Sequence, residues 1–161
     1  MKTKIWIIYY KSYILPITDY ACVVWGRTSA YNVNRLLKLQ KRAARIILKA
    51  HFLTPSSDMF KELNWLPIET RIQYHTALTV YKALNGLTPQ YISSLINKLP
   101  STDHTLRSYS NELLAVPKSR TQMYSKSFSI NGPKEWNCLP LMIRTSRSLE
   151  SFKHSLKRHI S

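Results

Sequence analysis

Carboxylates bind the metal ions of many catalytic sites, and this sequence has only eight of them. Nucleotidyl transfer by two metal ions needs carboxylates that converge on one point. Asp19, Asp58 and Asp103 each stand without an acidic neighbour, and so do the five glutamates. The sequence therefore predicts no polymerase centre of its own and no catalytic residue.

Other catalytic and cofactor-binding patterns are missing as well. Cys22 and Cys138 lie far apart and form no C-x-x-C pair, so neither a zinc site nor a disulfide framework is indicated. The five histidines show no metal-binding spacing, the three glycines stand singly, and no G-x-S-x-G elbow occurs. We therefore predict no metal site, no cofactor and a reducing, intracellular compartment, either the cytoplasm or the nucleus.

Binding chemistry is indicated on one helix, predicted over residues 33–50 with Ser29 or Asn32 as its cap. At 100° per residue, one side of this helix is an apolar arc and the other side is basic. The basic row, as we call that side, consists of Arg35, Lys38, Lys41, Arg42, Arg45 and Lys49. A helix face that is merely solvated usually mixes charge signs to gain i,i+4 pairs, whereas this one has no acid. The row therefore favours an anionic partner, with a solvated face as the alternative.

The net charge of +16 is concentrated at the two ends of the chain. Residues 1–50 have ten Lys and Arg against one acid, residues 51–100 have four against three, and residues 101–161 have ten against four. Such a balance suits nucleic acid or an acidic membrane surface. Trp25, Trp65 and Trp136 fall at helix ends beside apolar neighbours, which favours core packing over nucleic-acid stacking.

The N-terminal stretch resembles a signal peptide only superficially, because Lys11 and Pro16 interrupt its apolar run and Asp19 prevents a membrane span. We predict a core helix over residues 4–15, ended or kinked at Pro16. A second, buried helical piece is predicted to reach Trp25, with Gly26 as its stop.

The remaining pattern predicts further helices and one hairpin. A short helix that turns Met59, Phe60 and Leu63 inward should follow Pro55. A long neutral helix, the core partner of the basic helix, should span residues 67–85 and end at Gly86, and a helical turn should follow Pro89. Beyond the polar linker 97–112, the period changes to two, which predicts a hairpin between residues 113–116 and 125–130. A short helix over 134–138 and an amphipathic helix over 149–160, with Leu149, Phe152 and Leu156 facing inward, complete the set.

Several phrases, in this order along nearly the whole chain, resemble a known family. They are YKSYILP from Tyr10, DYACVVWG from Asp19, LQKRAAR from Leu39, LNWLP from Leu63, VYKALNGLTPQY from Val80, SFS from Ser127, WNCLP from Trp136 and SLESFK from Ser148. Together they are similar to the segment after the palm in reverse transcriptases of non-long-terminal-repeat, LINE-type retrotransposons of the jockey-like kind.

This resemblance implies a mainly α fold, in which a helical, thumb-like bundle (residues 1–96) is joined by the linker 97–112 to a small α+β extension (residues 113–161). It also implies that the chain holds template and primer, with RNA or an RNA–DNA hybrid as a partner bound with low specificity. The family's fingers, its palm with a Tyr-Ala-Asp-Asp-type motif and its endonuclease have no counterpart in this sequence. We therefore expect a non-catalytic fragment; the alternative is a folded transposon remnant or interaction module without selected activity, which would bind acidic surfaces non-specifically.

Overall fold

The fold is mainly helical, and the structure, a computed structural model, describes residues 2–99 and 112–160. Its helices are α1 (Lys2–Tyr9), α2 (Leu15–Asp19), α3 (Cys22–Trp25), α4 (Ala30–Leu48), α5 (Ser56–Leu63), α6 (Ile68–Leu84), α7 (Gln90–Ser93), α8 (Gln122–Ser125), α9 (Phe128–Cys138), α10 (Leu141–Arg144) and α11 (Leu149–Ile160). A π-helical turn, Tyr10–Ile14, joins α1 to α2. The chain divides into two compact units between Ile72 and Gln73, within α6.

The N-terminal unit begins with a helical segment that runs through Pro16 and does not end there, since Pro16 is the second residue of α2. The π-helical turn comes just before this proline: the Leu15 N–H donates to the Tyr10 carbonyl, five residues back. The prediction that this segment is core helix is wrong for most of its length. Tyr10 is its one buried side chain in residues 3–19, and Ile5 and Ile8 are exposed. Neighbouring helices therefore cover only one side of this segment, the side on which Tyr10 lies.

The short helix α3 ends at Gly26, as predicted, and a side chain at this position is sterically excluded. A Cβ at Gly26 would lie 2.3 Å from the Cys22 carbonyl oxygen and 2.6 Å from Cγ2 of Ile72. Only glycine therefore allows α3 to approach α6 this closely. The prediction that residues 20–25 are buried nearly all round is wrong, because only Cys22 is buried there and Val24 is exposed.

Helix α4 confirms the prediction for residues 33–50 with an earlier start and end. Ser29 is the N-cap, and its Oγ accepts from the Asn32 N–H at 3.4 Å. Lys49, in the left-handed region at φ 52°, ends the helix. The buried side of α4 packs in two clusters: Ala44 and Ile47 with Tyr10, Met59, Phe60, Leu63 and Trp65, and Val33 with Cys22, Ile68 and Ile72. Within the N-terminal unit, α4 thus packs against the first turns of α6 through Val33, Ile68 and Ile72.

The C-terminal unit is built around the rest of α6. Its core includes Val80, Tyr81, Leu114, Trp136, Phe152 and Leu156. The Tyr81 ring stacks on Phe152 at 4.3 Å between centroids, and the Tyr81 hydroxyl donates to the Ser146 carbonyl at 3.0 Å. Helix α11 has the predicted bounds and buries Phe152 and Leu156 as predicted. Gly86, at φ 68°, follows the end of α6, also as predicted.

The predicted hairpin between residues 113–116 and 125–130 is wrong. Residues 128–130 begin α9, which is longer than the helix predicted over 134–138. Leu114 instead forms an isolated antiparallel bridge with Lys98, and the side-chain amide of Asn137 both accepts from the Leu114 N–H and donates to its carbonyl, each at 2.9 Å. Asn137 thus supplies to this extended segment the hydrogen bonds that a second strand would supply. The linker 97–112 and the predicted domain boundaries stay predictions, and residues 100–111 lie outside the described part of the chain.

Candidate nucleic-acid interface

The candidate interface is the outer side of α4, where the structure places the basic row. Four of its members are exposed, namely Arg35, Lys38, Arg42 and Lys49, while Lys41 and Arg45 are half-buried. Helix α4 contains no acidic residue, and within the described residues none of the six cations forms an ion pair. The four exposed cations point within about 60° of one another around the helix axis, at 100° per residue. They therefore form one narrow row of positive charge.

Arg45 differs from the other members because it is tied to its own unit. Its Nη2 donates to the Thr54 carbonyl at 3.1 Å, and its Nε is buried without a hydrogen-bond partner. This guanidinium fixes the loop that follows α4, so only part of its charge faces solvent. Arg45, which the helical period places in the basic row, therefore does not point wholly away from the core.

Tyr31 is a neighbour of the basic row that sequence reasoning missed. Because α4 begins at Ala30 and not at Val33, this ring lies on the helix one turn before Arg35. The Arg35 Cζ lies over the Tyr31 ring, 5.8 Å from its centroid, and the Tyr31 side chain is 70% exposed. The Ser29 cap was the available signal, since a helix that starts directly after Ser29 includes Tyr31.

An apolar groove of about 350 Å³ runs beside the basic row in the N-terminal unit. Leu39, Ala43 and Ile46 from α4 line it, together with Ile14 and Leu15. Arg42 belongs to both the groove lining and the basic row. The outer face of α4 is therefore cationic along one line and apolar along the next.

The opposite side of α4 is anchored by Gln40, which the sequence places in the apolar arc. This side chain is buried; its Nε2 donates to the Leu66 carbonyl at 2.9 Å, and its Oε1 accepts from the Ile68 N–H at 3.0 Å. The amide therefore satisfies the first N–H of α6, which has no partner within its own helix. This anchor fixes the rotation of α4 and hence the direction in which the basic row faces.

Asp19, Arg71 and Cys22, which are also ionisable groups of this unit, have structural roles. Asp19 forms an ion pair with Arg71. Burial lowers the pKa of Arg71, but the hydrogen bonds and the negative charge of Asp19 raise this pKa by more, so its net shift is upward. Burial, assisted by the charge of Asp19, raises the pKa of the nearby Cys22 thiol to about 11. Cys22 is therefore a neutral thiol at pH 7 and is unsuited to nucleophilic chemistry.

Two further features bear on what this protein binds. In residues 2–99 and 112–160, no three His, Cys, Asp or Glu side chains lie close enough together to hold a metal ion. None of the helices in that same part of the chain is long and apolar enough to cross a membrane.

Comparison with known proteins gives one relationship. The chain is 31% identical over 64 residues to a probable RNA-directed DNA polymerase from transposon BS of Drosophila melanogaster. The matched segment is 40% of this chain but only 7% of that polymerase. No protein-family model matches the chain, and no solved structure shows significant similarity to it. Part of the chain is thus similar to part of a transposon polymerase.

Proposed function

We propose that this chain is a non-catalytic fragment of a retrotransposon reverse transcriptase and that it binds a template–primer duplex, RNA or an RNA–DNA hybrid, through α4. The observation that supports this most directly is the acid-free row of four exposed cations on one helix face. Arg45 and the half-buried Lys41 add to the positive potential of the same face. The similarity to a transposon polymerase supports the choice of nucleic acid over other polyanions.

The dimensions of the basic row suit a nucleic-acid backbone. Arg35 and Lys49 are fourteen positions apart in the sequence, which at ~1.5 Å per residue separates them by roughly 20 Å along the helix. That length spans several phosphates of one strand, and each contact releases a condensed counterion. Since the cations meet phosphates and not base edges, we expect affinity to depend steeply on salt and little on sequence.

Fluorescence anisotropy with a labelled RNA–DNA hybrid over a series of salt concentrations tests this proposal. The double variant Lys38→Gln/Arg42→Gln removes two exposed cations without touching the core, so it should weaken binding and make the slope of log K against log salt shallower by roughly 1.5–2. Lys118→Gln/Arg120→Gln, which neutralises one exposed Lys and one exposed Arg in the C-terminal unit, is the matched control.

Each outcome of this experiment decides between specific alternatives. Equal losses in both double variants would mean that net charge, and not the basic row, attracts the nucleic acid. Equal affinity for the hybrid and for anionic phospholipid vesicles would favour the interaction-module alternative. Absence of binding by the unaltered chain would refute the proposal.

A further inference from the structure

Tyr31 is an exposed aromatic ring in line with the exposed cations of the basic row. At 100° per residue, its direction differs from that of Lys38 by about 20° and from that of Arg35 by about 40°. It belongs to none of the hydrophobic clusters that hold Tyr10, Trp65, Tyr81 and Trp136. Packing in a hydrophobic core therefore does not explain the presence of an aromatic side chain at this position.

The Tyr31 ring is restrained by one side-chain contact and by the fixed backbone at the start of α4. Arg35 lies over it, and the backbone at the start of α4 is fixed by the Ser29 cap and by a bond from Asn32 Nδ2 to Thr28 Oγ1 at 3.3 Å. Because the ring is nevertheless 70% exposed, it retains surface for another flat group. A ligand that stacks there meets a surface that loses little side-chain freedom on binding.

The neighbouring charges indicate which kind of planar group would stack on Tyr31. Cations in line with an exposed aromatic ring are the combination with which proteins bind single-stranded nucleic acid, since the cations follow the backbone and the ring stacks on a base. A base within a duplex has both faces covered by its neighbours, so only an unpaired base presents a face to Tyr31. A single narrow row of cations also matches the phosphate backbone of one nucleic-acid strand better than the two backbones of a duplex.

We propose that Tyr31 stacks on an unpaired base of the strand whose phosphates the basic row contacts. The preferred ligand then has a single-stranded segment at the Ala30 end of α4, beyond any paired region. This inference rests on the proposed function, because it requires that the basic row binds nucleic acid.

The test compares three labelled ligands by fluorescence anisotropy at one salt concentration: a blunt RNA–DNA hybrid, the same hybrid with a short unpaired RNA extension, and that RNA strand alone. The unaltered chain should bind the extended hybrid more tightly than the blunt one. Tyr31→Ala should weaken binding of the extended hybrid and of the single strand by about tenfold and change binding of the blunt hybrid little. Tyr31→Phe, which keeps the ring, should bind all three like the unaltered chain.

Tyr91→Ala is the matched control, because Tyr91 is 71% exposed in the C-terminal unit, away from α4 in sequence. Circular dichroism establishes that each variant is folded. A Tyr31→Ala variant that loses affinity equally for all three ligands, or for none, would overturn the stacking inference and leave the basic row as a duplex-binding face. If the unaltered chain binds none of the ligands, the proposed function itself is wrong.

Discussion

The side-chain oxygen of Gln40 accepts a hydrogen bond from the first backbone N–H of α6, that of Ile68, at 3.0 Å. The same amide donates to Leu66, so one buried side chain in the middle of α4 is bonded on both sides of the start of α6. The basic row therefore faces outward from a helix whose rotation is fixed from behind.

Gln40→Leu should destabilise the protein by about 1–3 kcal/mol, because it leaves the buried Ile68 N–H and the half-buried Leu66 carbonyl without their partner. The measurement is the free energy of unfolding in urea. Gln73→Leu makes the same chemical change at an exposed position of α6 and should cost less than about 0.5 kcal/mol. Similar losses in the two variants would show that the Gln40 bonds contribute nothing specific.

Stability should depend on alkaline pH through Cys22. Its pKa is raised from 9.0 to about 11 in the fold, so between these values the unfolded chain loses its thiol proton first. The stabilising contribution of the neutral thiol is complete below pH 9 and should be lost as the pH rises to 11, by roughly 2–3 kcal/mol. Urea unfolding at several pH values, with Cys22→Ala as the reference, isolates this effect; parallel curves for the two proteins would contradict it.

Gly26→Ala should destabilise the N-terminal unit by about 1–3 kcal/mol or more. The new methyl group would overlap the Cys22 carbonyl oxygen and the Ile72 side chain. The carbonyl oxygen belongs to the backbone, so it cannot avoid the methyl group by a change of side-chain rotamer. Gly86→Asn, at a turn with nothing within 4 Å of the added Cβ, should cost much less, since Asn tolerates positive φ. Thermal unfolding of both variants makes the comparison. If Gly26→Ala melts like the unaltered chain, the close approach of α3 and α6 is not as the structure has it.

Substitution of Arg42 should affect nucleic-acid binding, whereas substitution of Arg45 should affect the stability of the fold. Arg45→Gln breaks the bond to Thr54 and should lower the free energy of unfolding by about 1 kcal/mol or more, whereas Arg42→Gln should leave it nearly unchanged and weaken nucleic-acid binding. Urea unfolding and anisotropy on the same two variants show whether the effects divide in this way. If Arg42→Gln lowered the stability and Arg45→Gln left it unchanged, the assignment of Arg42 as exposed and Arg45 as anchored would be wrong.

The isolated chain should not extend a primer. With primed RNA, magnesium or manganese and all four deoxynucleotides, we expect no product above background, because Asp19 is committed to Arg71 and no converging set of acids lies in the described residues. Extension that disappears in an Asp19→Asn variant would show that this ion pair conceals a catalytic centre.

Local patterns predicted the elements that depend on local interactions. Helices α4 and α11 follow from their 3.6-residue period, α4 also from its Ser29 cap, and the buried face of α5 follows from Met59, Phe60 and Leu63. The hairpin failed because residues 125–130 fit a period of two while Ser127, which precedes the first residue of α9, was not recognised as its N-cap. Gln40 could not be recognised because the backbone groups it binds lie 26 and 28 residues away in sequence. The helical period correctly places Arg35, Lys38, Arg42 and Lys49 on one exposed side of α4, and nucleic-acid binding by the basic row stays a prediction.

The π-helical turn before Pro16 determines where this chain tolerates a change of length. Its hydrogen-bonded loop encloses one residue more than an α-helical loop, as the Leu15-to-Tyr10 bond shows. Deleting one residue, for example Ser12, can therefore be absorbed by converting the turn to α-helix, with the flanking segments still facing as they do now. The same deletion in the middle of α4 would rotate every later side chain by about 100° and carry half of the cations into the core. Natural variation in length is therefore expected at the turn and is expected to be absent from α4.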